Sequence, residues 1–161
     1  MKRLAIAIVL IAAAGCTTAQ IDTAAEEQML LDLHANVLRA HLEDDVEGWL
    51  AHESEEMVVA SRGEIIRPTS EERREQRERY LTAAQFETYR DVQPPIVTVS
   101  DDGTLGWVVC QVEGSGNYVD EAGQSVPIQF VSAWIEMYRK TEGTWQMVGN
   151  VSNFKPESNS Q

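Results

Sequence analysis

An α+β fold is predicted for this chain from three observations. Helix-spaced apolar residues mark its first half, runs of β-branched and aromatic residues mark its second, and turn residues punctuate those runs. Helices first and strands last predict an antiparallel sheet with helices packed on it, not a doubly wound parallel sheet. At 161 residues the chain suits one domain, and its 43% apolar content is that of a globular protein. A formal net charge of −13, with no basic face, argues against nucleic acid as a partner.

The first element is a targeting segment. Lys2 and Arg3 precede an apolar run from Leu4 to Ala14, which suits a signal peptide and is too short for a membrane-spanning helix. The run ends in Ala13-Ala14-Gly15-Cys16, which resembles the lipobox of bacterial lipoproteins. The resemblance implies cleavage before Cys16 and acylation of that cysteine; the alternative is an ordinary signal cut after Ala19. Residues 1–15 are then signal peptide, 16–24 a lipidated polar tether, 25–155 the folded domain and 156–161 a frayed tail. Acyl chains alone would hold so acidic a protein at a membrane, since it has no polybasic patch. Thr17 stands where an Asp would imply inner-membrane retention, so the expected address is the outer membrane, facing the periplasm, with a soluble periplasmic or secreted form as the alternative. Once Cys16 is acylated, Cys110 has no disulfide partner; in its apolar run it reads as a small core residue.

From Ala24 the pattern is helical, with Leu30, Leu33, His34, Val37, Leu38 and His41 on one face. Asp44 and Asp45 can cap a short second helix presenting Val46, Trp49 and Leu50. Met57 to Ala60 and Glu64 to Arg67 read as strands about Ser61-Arg62-Gly63, and Thr69 with Glu72 is a capping-box start for a third helix to about Ala84. Strands follow at Phe86 to Val92, Ile96 to Val99, Leu105 to Val112, Val126 to Tyr138 and Thr144 to Ser152. Gly114-Ser115-Gly116, Glu121-Ala122-Gly123 and Glu142-Gly143 are among the turn signals between them.

Several apparent motifs carry no chemistry. Gly114-Ser115-Gly116 opens no helix and so offers no phosphate cradle. His52-Glu53-Ser54-Glu55-Glu56 lacks the second histidine of a zinc-protease helix, and the acids from Glu43 to Glu56 lack calcium-loop spacing, so this stretch reads as a solvated acidic loop. The charges from Glu71 to Arg79 read as a solvated helix face. No metal or cofactor is expected.

The element order, with Asp45-Val46-Glu47-Gly48-Trp49-Leu50 leading to Met57-Val58-Val59 and with Tyr138-Arg139-Lys140-Thr141-Glu142-Gly143-Thr144-Trp145 near the end, resembles the nuclear transport factor 2-like superfamily in its SnoaL-like and ketosteroid-isomerase-like branch. The resemblance implies a curved antiparallel sheet wrapped as a cone around the long first helix, with an open pocket and often a homodimer through the outer sheet face. It also implies what is missing. The three isomerase catalytic positions fall on Val37, Ser61 and Ile135, with Glu136 one residue from the last, so the proton-transfer set is not matched.

Polar candidates for the pocket remain. His34 and His41 share a helical stripe with Val37 and are either hydrogen-bonded core residues or ligand contacts. Trp49, Gln111, Gln129 and Asn150 complete the candidate set, subject to strand register. Apolar residues on both alternations of Val126 to Tyr138 imply that both sheet faces are covered, one of them by a second subunit. The expected function is a membrane-tethered envelope module holding a small, partly apolar molecule. The alternative is a small SnoaL-like isomerase, dehydratase or hydrolase using a helix-1 histidine as acid and base.

Overall fold

The computed structural model describes residues 21–154. The signal segment, Cys16, most of the tether and the tail lie outside the described residues. No helix among the described residues is long and apolar enough to cross a membrane.

Three helices begin where the sequence supplies an oxygen for orphan backbone amides. Helix α1 spans Thr23–Leu42, with Asp22 accepting from the Ala25 amide, so the last residues of the expected tether are already helical. Asp45 caps the short α2, Val46–Leu50, by accepting from the Gly48 amide. Thr69 and Glu72 exchange the two bonds of a capping box ahead of α3, Ser70–Ala83.

Seven strands form one curved, unclosed sheet: β1 Glu53–Ser61, β2 Glu64–Ile66, β3 Ala84–Asp91, β4 Ile96–Val99, β5 Leu105–Val119, β6 Ser125–Thr141 and β7 Thr144–Phe154. Their order is β2-β1-β7-β6-β5-β3, and β4 pairs with the first half of β5. Two hairpins close through two-residue loops, Arg62-Gly63 and Glu142-Gly143, with positive φ at both positions. That backbone matches the twist of the strands it joins, and glycine holds the second place in each loop. Register shifts in β1/β7, β3/β5 and β6/β7 bend the sheet around α1.

Three expectations are corrected here. The sheet is not wholly antiparallel, because β1 runs parallel to β7. The stretch from Glu53 to Glu56 is the start of β1, not a solvated loop. Gly114-Ser115-Gly116 is no hairpin turn; it lies inside β5, which continues to Val119 and pairs with β6 over its whole length. The glycines are needed there for clearance. A Cβ on Gly114 would lie 2.6 Å from the Phe130 ring, and one on Gly116 only 2.0 Å from the Gln85 carbonyl oxygen of β3.

The concave face and α1 enclose the core. Leu30, Val37 and Leu38 of α1 pack with Val99, Val108, Cys110, Val112, Tyr138 and Met147 of the sheet. Glu26 pins the start of α1 by accepting from Lys140 Nζ at 2.5 Å and Trp145 Nε1 at 2.7 Å. The convex face keeps large apolar groups exposed, among them Trp107, Ile135 and Val151.

Gly116→Ala is expected to cost about 1–3 kcal/mol, because the strand backbones must separate to admit one methyl group. Urea unfolding tests this; an unchanged midpoint would show that β3 and β5 are not so closely apposed.

Candidate functional site

Glu136 is the only charged residue between Val126 and Tyr138. The register of β6 turns it inward, where it is 1% exposed, and turns Ile135 outward. This corrects the sequence alignment, in which Ile135 took the inward position. A bare carboxylate so placed would cost several kcal/mol. Three donors satisfy it. Trp134 Nε1 and Tyr138 OH, each two residues away on the same strand face, donate at 2.8 and 2.9 Å, and His34 Nδ1 lies 2.9 Å from Oε1.

The other ring nitrogen of His34, Nε2, lies 3.2 Å from Asp91 Oδ1 at the end of β3. With both carboxylates ionised, each nitrogen donates, which makes His34 an imidazolium between two anions. Burial alone would lower its pKa, but the bond to and charge of Glu136, joined by Asp91, outweigh burial and raise it above the ordinary 6.5. Trp134 Nε1 can only donate, so Glu136 Oε1 is held as an acceptor in this network.

Cys110 Sγ, His34 and Glu136 have possible ligand atoms within 4.8 Å of one another, the one such cluster of three among the described residues. Its donors suit protons better than a metal. Both His34 nitrogens are engaged, and burial first, then the Glu136 charge, pushes the thiol's pKa far up.

His41 sits one turn beyond Val37. Its Nδ1 donates to the Val37 carbonyl at 2.8 Å, leaving Nε2 as a lone-pair acceptor. The ring stacks on Tyr89 at 4.0 Å and lies 3.9 Å from Trp49. Burial pulls its pKa down to about 4, and the nearby Arg77 charge adds to the effect. At neutral pH it is an uncharged aromatic spacer with one acceptor.

Beside these groups opens a cavity of about 530 Å³, within the usual range for small-molecule sites. Trp49, Tyr80, Tyr89, Phe130 and Trp134 supply aromatic wall, while Val37, Met57 and Met147 supply aliphatic wall. Burial raises the phenol of Tyr80 to about 12 and lifts that of Tyr89 well above its ordinary range, so both stay neutral. Polar groups converge from three elements. Ser61 and Ser152 share a hydrogen bond at 2.9 Å, Asn150 lies on β7, and Gln76 and Arg77 project from α3.

The α3 wall holds a buried ion cluster. Arg73 Nε faces Glu53 Oε2 at 2.8 Å and Arg77 Nη2 donates to Glu53 Oε1 at 3.0 Å, so two guanidiniums share one carboxylate. Arg73 is further fixed by the carbonyls of Pro68 and Ser54. The expected solvated face of α3 is therefore corrected at Arg73 and Arg77, which with Leu81 form an i, i+4, i+8 stripe turned inward.

Of the candidate residues, Val37, His41, Trp49 and Asn150 line the cavity. His34 does not; it stands behind Glu136, which does. Gln111 and Gln129 belong to the outer alternations of β5 and β6, between the buried inward residues, and are corrected to the convex face. Glu53, Arg77, Asp91 and Glu136 were missed. A lone acid in an apolar strand and helix-spaced arginines were the available signals.

The two histidines should give stability opposite pH slopes. His34, raised in the fold, contributes stability that is complete below the ordinary 6.5 and is lost as pH rises through its folded value. His41, depressed to about 4, contributes stability that is complete above 6.5 and is lost as pH falls from there toward 4. Denaturation midpoints across this range should flatten on the alkaline side in His34→Gln and on the acid side in His41→Phe. His34→Ala should lose on the order of 3 kcal/mol, because Glu136 is left buried without its cation.

No protein-family pattern and no curated protein sequence matches the chain. Solved structures do. An NTF2-like protein of unknown function from Pseudomonas putida superposes with a TM-score of 0.66 at 16% identity, over 86% of this chain and 93% of the other. An NTF2-like protein from Cytophaga hutchinsonii gives 0.64 at 14%, over 80% and 97%. A ketosteroid isomerase-like protein from Erwinia carotovora atroseptica gives 0.63 at 17%, over 81% and 98%. The chain therefore has the NTF2-like fold, a helix-filled cone of curved sheet.

Proposed function

We propose that this protein is a small-molecule-binding module of the bacterial envelope, tethered to a membrane by lipid on Cys16. The observation that carries the binding reading is the aromatic-walled cavity of about 530 Å³, into which polar groups of α1, α3 and β7 converge. The ligand class is a small, partly apolar molecule. A second reading, acid–base chemistry, is favoured only by the ordered Glu136 carboxylate on the cavity wall. A helix-1 histidine suits it poorly, since His41 is uncharged down to about pH 4 and His34 does not line the cavity. The tether reading rests on Gly15-Cys16 at the end of the apolar run, with the outer membrane as its proposed site. A homodimer through the convex face, covering Trp107, Ile135 and Val151, completes the proposal.

Native mass spectrometry of the gently purified protein should show a copurifying small molecule, absent from a Val59→Trp variant whose indole fills the cavity. Binding unaffected by that plug would place the ligand elsewhere.

Cys16→Ser should abolish palmitate labelling and release the protein from membranes; unchanged labelling would favour cleavage after Ala19. Sedimentation at tens of micromolar should give a dimer that Ile135→Asp dissociates. A monomer under those conditions would leave the apolar convex face without this explanation.

A further inference from the structure

The charged groups of the cavity wall are unequally matched. Glu136 accepts from Trp134 and Tyr138 and pairs with His34, which Asp91 shares from behind the wall, so two carboxylates share one imidazole on this side. On the α3 side the imbalance runs the other way. Glu53, with a side chain 2% exposed, answers two arginines, leaving one positive charge in excess. Arg73 spends its remaining donors on carbonyls and on Ser70. Arg77 makes fewer bonds: its Nη2 reaches Glu53, its Nε is buried without a hydrogen-bond partner, as is that of Arg73, and no described residue accepts from its Nη1. The guanidinium carbon lies 4.1 Å over the Trp49 ring at the cavity wall, and its side chain is 15% exposed.

A guanidinium held by one edge, set over an indole and left with an unspent Nη1 is suited to receive an anionic group. Glu64 is the remaining carboxylate among the cavity-lining residues, and it lies at the exposed end of the cavity on β2, as does Arg62 across their turn. The rest of the wall is aromatic and aliphatic. We propose that the cavity takes a small amphipathic organic anion, its acid group against Arg77 and its ring or apolar body between Trp49, Tyr80 and Phe130. This rests on the reading of the cone as a small-molecule site and names the chemistry of its ligand.

The net charge of −13 makes the proposal sharply testable, because the protein's overall field repels anions. Any preference for an anion must then be local. Two probes share an aromatic skeleton and differ in charge: anilinonaphthalene sulfonate and its uncharged parent, phenylnaphthylamine. Both are titrated into isotopically labelled protein, and the Trp49 and Trp134 indole resonances report entry into the cavity. The sulfonate should bind roughly tenfold or more tightly than the parent. Arg77→Gln should erase that preference, bringing the affinity for the sulfonate down to that for the parent.

If the parent binds as tightly as the sulfonate, or if the preference survives Arg77→Gln, the anion proposal falls and the apolar pocket stands. If neither probe moves the two indole resonances, the pocket reading itself falls. Should Arg77→Gln fail to fold, the comparison of the two probes on the unmodified protein still decides between these outcomes.

Discussion

The burial of one carboxylate constrains much of this structure. Glu136 sits on the central strand β6 with its side chain turned into the core, and every group that makes this tolerable comes from a defined place. Trp134 and Tyr138 come with the strand, at the spacing that puts them on the same face. His34 must come from α1 and Asp91 from β3, more than a hundred and about forty-five residues away in sequence. The network therefore sets how α1 is rotated in the cone and where β3 ends. A core of apolar side chains would tolerate several rotations of the helix; a carboxylate that needs His34 Nδ1 at 2.9 Å does not.

Curvature leaves room beside that network. Extra residues in three strand pairs bend the sheet, and glycines at 114 and 116 let β3, β5 and Phe130 approach closely at one end. The pairing of Arg73 and Arg77 with Glu53 fixes α3 to β1 as one wall of the cavity. The bulky groups there, Trp49, Tyr80 and Tyr89, face each other around His41 and do not fill the remaining space. The cavity is thus a product of the same features that specify the fold.

Much of the fold was legible because its signals are local. Capping residues Asp45 and Thr69, the Arg62-Gly63 and Glu142-Gly143 turns, and the alternation along β6 act within a few residues, and each appears in its expected element. The failures are non-local. Gly114-Ser115-Gly116 has turn composition, and only the approach of Gln85 and Phe130 explains glycine in the middle of a long strand. The acids of β1 read as solvated until Arg73 and Arg77 fold over Glu53. Register decided the site. Gln111, Gln129 and Glu136 were all equivalent as polar residues in apolar strands, and a shift of one residue separates the convex face from the core.

The likeness to NTF2-like structures, at 14–17% identity, shows the fold and leaves the chemistry of the cavity to the residues that line it. The residues aligned with the isomerase set do not reproduce it. Val37 has no donor, Ser61 is a hydroxyl paired with Ser152 where a carboxylate base would stand, and Glu136 Oε1 accepts from Trp134 beside His34. The arginine of α3 between aromatic walls supports the proposed binding role, and the Glu136 carboxylate is the group that the acid–base reading would use. The proposed binding thus rests on two groups that the element order does not announce: an arginine on α3 and the tryptophan beneath it.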